Sequence, residues 1–194
     1  MTGYQQENAI CNQFSIQTYG QLFSNIYGAC AMLILFTKSD HIDFPQFMEV
    51  CKQSNIQKGR CDFPSHSPYD QLYLVESELC DYIRESVQKG SMICAAWAPD
   101  GRYKTVLRLE KYMDGYLICG LETALQERKK GYAKSLIAAV LASFPGCCFY
   151  SHINIRNVVS AKAHIKCGFR KILDHAIFLD GSVSAATATY FYKT

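Results

Sequence analysis

The stretch QERKKGYAKSLIAAVLASF, residues 126–144, passes from a charged run into an apolar one, and Arg128, Lys129, Lys130, Gly131 and Ala133 stand where the two meet. These residue types suit an anion. A helix start exposes unpaired N–H groups and partial positive charge, so a phosphate docks there when the backbone can approach it closely. Gly131 removes the side chain that would block the approach, Ala133 nearly does, and the three cations add charge. Cations at a helix N-terminus oppose the dipole by about a few tenths of a kcal/mol each unless an anion neutralises them. The plainer reading is a solvated charged run. No Gly-Lys-Ser/Thr follows and only one glycine is present, so the stretch is neither a P-loop nor a dinucleotide fingerprint.

The elements that must hold this loop are legible around it. Ala133, Leu136, Ile137, Val140, Leu141 and Phe144 fall on one helical face before Pro145-Gly146, which predicts a helix over 131–144. Upstream, Asp-Gly pairs at 100–101 and 114–115 separate three runs rich in Val, Ile, Leu, Tyr and Trp, the pattern of a three-stranded antiparallel meander. Downstream, CCFYSHINIRN (147–157) is strand-like. The order is therefore strand, basic glycine loop, helix, strand.

The first half says less. Leu72, Val75, Leu79, Ile83 and Val87 recur at three- and four-residue steps up to Gly90, predicting an amphipathic helix with a glycine stop. Asp43 and Pro45 open a short capped helix over 43–52. Residues 53–70, rich in Ser, Pro, Gly and Asp, read as a loop and as the place for a boundary. On that division residues 1–65 form a variable N-terminal segment packed on a core of 66–194. The apolar stretch 19–36 fits a buried helix or a core strand, and periodicity does not separate them.

Composition bounds the function. A chain of 194 residues, 49% hydrophobic, builds one main core. Twenty Lys+Arg against 17 Asp+Glu, a formal charge of +3, carries no nucleic-acid or membrane footprint. The longest apolar run, 29–36, is too short for a bilayer, and the N-terminus lacks the basic start and apolar centre of a signal peptide. The expectation is a soluble, cytoplasmic monomer or homodimer with small partners. Ten scattered cysteines include no Cys-x-x-Cys pair, so they read as reduced, buried hydrophobes rather than metal ligands.

Arg128-x-x-Gly131-x-Ala133 resembles the Gln/Arg-x-x-Gly-x-Gly/Ala signature of the GNAT acetyltransferase superfamily, whose loop grips the pyrophosphate of acetyl-coenzyme A. NVVSAKAHIKCGF (157–169) resembles the second signature, through Asn157, the small Ser160, His164 at an aromatic-type position, and Gly168-Phe169. Their order and separation carry the resemblance over residues 91–179, and AIFLDGSVSAATATYFY suits the closing strand pair.

The resemblance implies an α/β (α+β) GNAT fold, a mixed central sheet with splayed strands and flanking helices, in which strand 116–123 parts from strand 148–152. The pantetheine arm would lie in the gap along Leu121 and Thr123. The pyrophosphate would sit on the amides of Lys129, Lys130, Gly131, Tyr132, Ala133 and Lys134, with Asn157 and Ser160 touching the cofactor. The implied activity is transfer of an acetyl group from acetyl-CoA to an amine of a small molecule or peptide, by direct attack in a ternary complex and without a metal. The acceptor would enter between the N-terminal segment and the 180–188 loop.

An attacking amine must be neutral and the leaving thiolate reprotonated, while strand amides can hold the oxyanion. Most relatives place Tyr seven residues after the Asn; here His164 either serves as the acid or fills that space. Glu122, in GLETA, is the available carboxylate base on the fourth strand, and strand alternation leaves open which face it takes. His152 and Tyr150 are less specific candidates, since a strand aromatic is usually core. Cys119 and Cys167 read as packing residues. A non-catalytic acyl-CoA-binding module stays open because of His164, and a cysteine-rich metal or redox protein is a third reading.

Overall fold

The computed structural model describes residues 32–194. In chain order the elements are β1 (Leu33–Phe36), α1 (Phe44–Asp62), α2 (Pro68–Gln88), β2 (Met92–Trp97), β3 (Thr105–Tyr112), β4 (Gly115–Thr123), α3 (Tyr132–Ser143), β5 (Cys148–Asn154), α4 (Val158–Lys166), β6 (Arg170–Leu173), β7 (Ala176–Ile177), β8 (Val183–Ser184) and β9 (Thr187–Lys193). Seven strands make one sheet in the order β1-β2-β3-β4-β5-β9-β6, and β7 pairs with β8 as a separate ribbon. The β4–β5 pair is parallel and the other pairs are antiparallel. Of the ambiguous apolar stretch, residues 33–36 are the edge strand β1; residues 19–31 lie outside the described residues.

Alternation along the strands divides the core between two sheet faces. Leu136, Ile137, Val140 and Leu141 of α3 pack on Leu107, Leu109, Ile118 and Phe149. On the other face Phe47, Cys51, Ile83 and Val87 of α1 and α2 pack on Cys94, Ala96 and Val106. Each fully buried side chain of this size contributes about 1.5–3 kcal/mol of transfer free energy.

Asp43 caps α1 as its residue type suggests, accepting from the Gln46 amide at 3.0 Å. The helix does not stop at 52, however, and the expected loop is confined to 63–67. The inward stripe Phe47, Cys51, Asn55, Gly59 continues at four-residue steps, but its later members are polar or small. The reason is the neighbouring helix: a Cβ on Gly59 would lie 2.8 Å from the Gln71 carbonyl oxygen. Close approach selected residues that look like a loop. The closing strand pair also differs from expectation. β9 pairs with β6, whose four residues are all exposed and show no alternation, while 176–184 folds over as the small ribbon.

Candidate active site

The parallel pair β4–β5 is closed at one end and open at the other. Rungs run from Gly115–Cys148 to Ile118–Ser151 and then stop, although β4 continues to Thr123 and β5 to Asn154. At the closed end a Cβ on Gly115 would collide with the Cys148 carbonyl, so this glycine serves strand approach, while Met113 carries the positive φ of the turn.

The parting begins at a bulge. Val106 of β3 faces Glu122 and Arg108 faces Cys119, so Leu107 alone opposes Gly120 and Leu121, and Gly120 takes φ +54°. Because side chains alternate, the extra residue returns Glu122 to the face of Cys119. Arg108, Glu110 and Tyr112 of β3, Cys119 and Glu122 of β4, and Tyr150 and His152 of β5 therefore share the face on which α1 and α2 pack. The polar alternation Arg108/Glu110 inside an otherwise apolar strand was the sequence signal for this face.

At the open end stands the loop. Gly131 caps α3 with φ +87° and no side-chain cap, and Lys129 is also left-handed at φ +65°. The first helical bond runs from Ser135 N to the Gly131 carbonyl at 3.1 Å. Among the described residues the amides of 129–134 therefore donate to no backbone carbonyl. A Cβ at 131 would meet no atom of the protein within 4 Å, so it is φ rather than space within the protein that calls for glycine here. Lys130 pairs with Glu127 at 2.7 Å and Lys104 reaches the same carboxylate at 3.4 Å. Arg128 Nε donates to the Thr123 carbonyl at 3.2 Å, tying the loop to the end of β4. What results is a cationic nest of bare N–H groups, built for an anion.

Glu122 is half-buried, and burial raises its carboxyl pKa against the lowering effect of a hydrogen bond with Ser54 of α1 and of the Arg128 and Arg108 charges. Cys119 is pushed up to about 12, mainly by burial and then by the Glu110 charge, so it is a thiol rather than a thiolate. The same holds for Cys51 and Cys94. Among the described residues no disulfide joins the cysteines, and no group of His, Cys, Asp and Glu is arranged to hold a metal ion.

The second signature is closed on itself. Asn157 caps α4, its Oδ1 accepting from the Ser160 amide at 3.1 Å. The Ser160 carbonyl in turn accepts from His164 Nδ1 at 2.9 Å. A carbonyl only accepts, so the neutral ring carries its proton on Nδ1 and leaves Nε2 bare; Nε2 is buried without a partner. His164 is 1% exposed, edge-on to Phe169 at 5.1 Å, and burial lowers its pKa against the raising effect of the Ser160 bond.

Across the sheet, Tyr150 donates to Asp114 at 2.7 Å, which lowers the Asp114 pKa, while burial and then that carboxylate raise the Tyr150 pKa. The β7–β8 ribbon is anchored over the same face by Tyr112, whose hydroxyl donates to the Ile177 carbonyl at 2.8 Å. Cys167 packs against the α3 side of the core, and its Sγ lies 3.7 Å from the Lys134 carbonyl. A concavity of about 440 Å³ between α1 and α2, lined among others by Met48, Tyr73 and Arg84, shares no residue with the loop. No helix of the described residues is long and apolar enough to cross a membrane.

No family model and no curated protein matches the chain. Its structure is similar to solved acetyltransferases. A GNAT-family acetyltransferase from Bacillus cereus superposes with a TM-score of 0.52 at 17% identity, over 84% of this chain and 99% of that one. Spermidine N-acetyltransferase from Vibrio cholerae, in complex with CoA and spermine, gives 0.56 at 14% identity, over 84% and 95%. Ribosomal-protein-S18-alanine N-acetyltransferase from Escherichia coli gives 0.53 at 11% identity, over 84% and 94%. The fold is the GNAT fold, a mixed sheet with splayed strands and flanking helices.

Proposed function

We propose that this protein is an N-acetyltransferase that moves an acetyl group from acetyl-CoA to an amine of a small molecule or peptide, by direct attack in a ternary complex. The observation that supports it most is the row of unpartnered amides at 129–134, at the open end of a gap between two parallel strands. The donor set fits a pyrophosphate, with Arg128, Lys129 and Lys130 supplying charge. Main-chain groups of Leu121 and Thr123 border the gap for the pantetheine arm, the Thr123 carbonyl being already engaged by Arg128. Asn157 Oδ1 is engaged by the Ser160 amide and the Ser160 carbonyl by His164, so these residues hold the wall of the donor site and touch the cofactor secondarily.

His164 fills the tyrosine's space in this reading. Its one proton is committed to Ser160, so water returns the proton to the leaving thiolate. Glu122, brought round by the bulge, faces α1 beside Ser54, at the loop end of β4. The amine enters between α1 and the 176–184 ribbon.

That lack of a free proton on His164 also favours a second reading, a module that holds acyl-CoA without turnover. Calorimetry with acetyl-CoA and CoA, followed by thiol release across an amine panel, separates the two. Absence of binding defeats both, and binding without thiol release defeats the enzyme.

A further inference from the structure

We propose that His152 is the general base that takes the proton from the acceptor amine, an assignment that rests on the reading of the β4–β5 gap as the acyl-donor site. His152 is the first residue of β5 beyond the last rung, Ile118–Ser151, so it stands where the two strands part. Both of its ring nitrogens are enclosed and have no hydrogen-bond partner among the described residues. Buried polar atoms are almost always paired, and an unpaired imidazole beside a gap is a group kept for something that enters it.

The ring is held edge-on by Tyr112 of β3, 5.3 Å away at 89°, and by Phe178 of the ribbon, 5.5 Å away at 83°. The neighbouring polar groups are spent elsewhere: the Tyr112 hydroxyl on Ile177, Tyr150 on Asp114, and Thr189 Oγ1, opposite on β9, on the His175 carbonyl at 2.7 Å. Arg108 and Glu110 of β3 lie on the same sheet face, but they pair with each other at 3.5 Å. Burial alone acts on it and lowers its pKa, leaving a neutral imidazole as a base requires.

Reach separates His152 from Glu122. Residues 119–123 of β4 run unpaired toward β5, about 16 Å at roughly 3.3 Å per residue. A pantetheine chain, two amide units extended along that edge from phosphates on the 129–134 amides, places its thioester where the strands part. Glu122 lies at the opposite end, next to Thr123 and within the influence of Arg128. It is near the phosphates, and His152 is near the reacting carbon.

In the step, the amine lone pair forms the C–N bond to the acetyl carbon and His152 accepts one proton from that nitrogen. The C–S bond breaks with its electrons on sulfur, the thiolate takes a proton from water, and His152 returns its own to the hydroxide so formed. The products are the N-acetyl amine and the free thiol.

Thiol release from acetyl-CoA is measured with spermidine, tyramine, an alanine-initiated peptide and water alone as acceptors, in the wild type, His152→Phe and His152→Gln. Phe keeps the aromatic volume and Gln keeps polar capacity without basicity. Acetyl-CoA affinity by calorimetry is expected within about threefold of wild type, with kcat down about 100-fold or more in both variants and the acid limb of the pH profile lost. Turnover within about fivefold of wild type in either variant, or a retained acid limb, overturns the assignment. So does a wild type that binds acetyl-CoA yet releases no thiol with any of these acceptors, although the donor site then stands. A wild type that binds no acetyl-CoA removes the donor site itself.

Discussion

Helices α3 and α4 both begin beside the same sheet, yet their first turns are opposites. At α3 a left-handed glycine offers no side-chain cap and the amides of 129–134 stay bare among three cationic residues. At α4 Asn157 caps the Ser160 amide and the Ser160 carbonyl receives His164 Nδ1, so the main-chain groups at the start of this helix are answered within the turn. A satisfied turn is architecture; an unsatisfied one, held in place by strain and like charge, is a socket. Resemblance to a family signature marked both stretches alike, and only the accounting of hydrogen bonds divides them.

Substitutions can break that contrast. Gly131→Val forces a branched side chain to φ +87° in the socket. We expect acetyl-CoA affinity to fall about 100-fold or more by calorimetry, with a stability cost of roughly 1–2 kcal/mol for the left-handed backbone. Unchanged affinity in a folded variant would mean the bare amides hold nothing. Asn157→Ala should show the reverse pattern, losing about 1 kcal/mol in urea unfolding for the missing cap while affinity stays within about threefold. An affinity loss without a stability loss would make α4 a second socket.

Glu127→Gln sharpens the comparison at smaller scale. It frees Lys130 and Lys104 from their shared carboxylate, whose pKa the Lys130 bond holds down. Affinity for CoA should rise about two- to fivefold at low salt and return to the wild-type value at high salt.

The smallest effect belongs to His164→Phe. Burial holds the folded-state His164 pKa below its ordinary 6.5, so the unfolded chain binds the proton first. Its stabilising effect is whole above pH 6.5 and drains as pH falls below that value through the folded pKa. The variant should unfold less steeply with acid as pH falls below 6.5, about 1 kcal/mol or less apart at neutral pH, with acetyl-CoA affinity unchanged. A slope equal to wild type would place the buried proton elsewhere.

The sequence carried the second half of the fold because its signals are local. Asp100-Gly101, Gly131 and Pro145-Gly146 mark chain reversals and helix ends by their own chemistry, and β2 to β5 follow at nearly the expected bounds. It failed at 53–62 because Asn55 and Gly59 were chosen by α2, a partner distant along the chain. The proposal of a phosphate seat at the loop came from residue types alone. The face of Glu122 was not legible in them, since one bulged residue at Gly120 reverses a parity that no period-2 pattern records. His152 stayed a minor candidate in the sequence for a related reason: its lack of partners exists only once β3, β9 and the ribbon surround it.

The bulge at Gly120 has a mechanical sense as well. It works as a phase shifter in the strand, so that residues 115–118 stay locked to β5 while 122–123 are held by β3 alone and lead into the loop. Lengthening or shortening β4 by one residue beyond this point would rotate Glu122 away from α1 without disturbing the rungs at Gly115 or the histidine at 152. The two ends of the strand are thereby geared separately, one to the sheet and the other to whatever the loop holds.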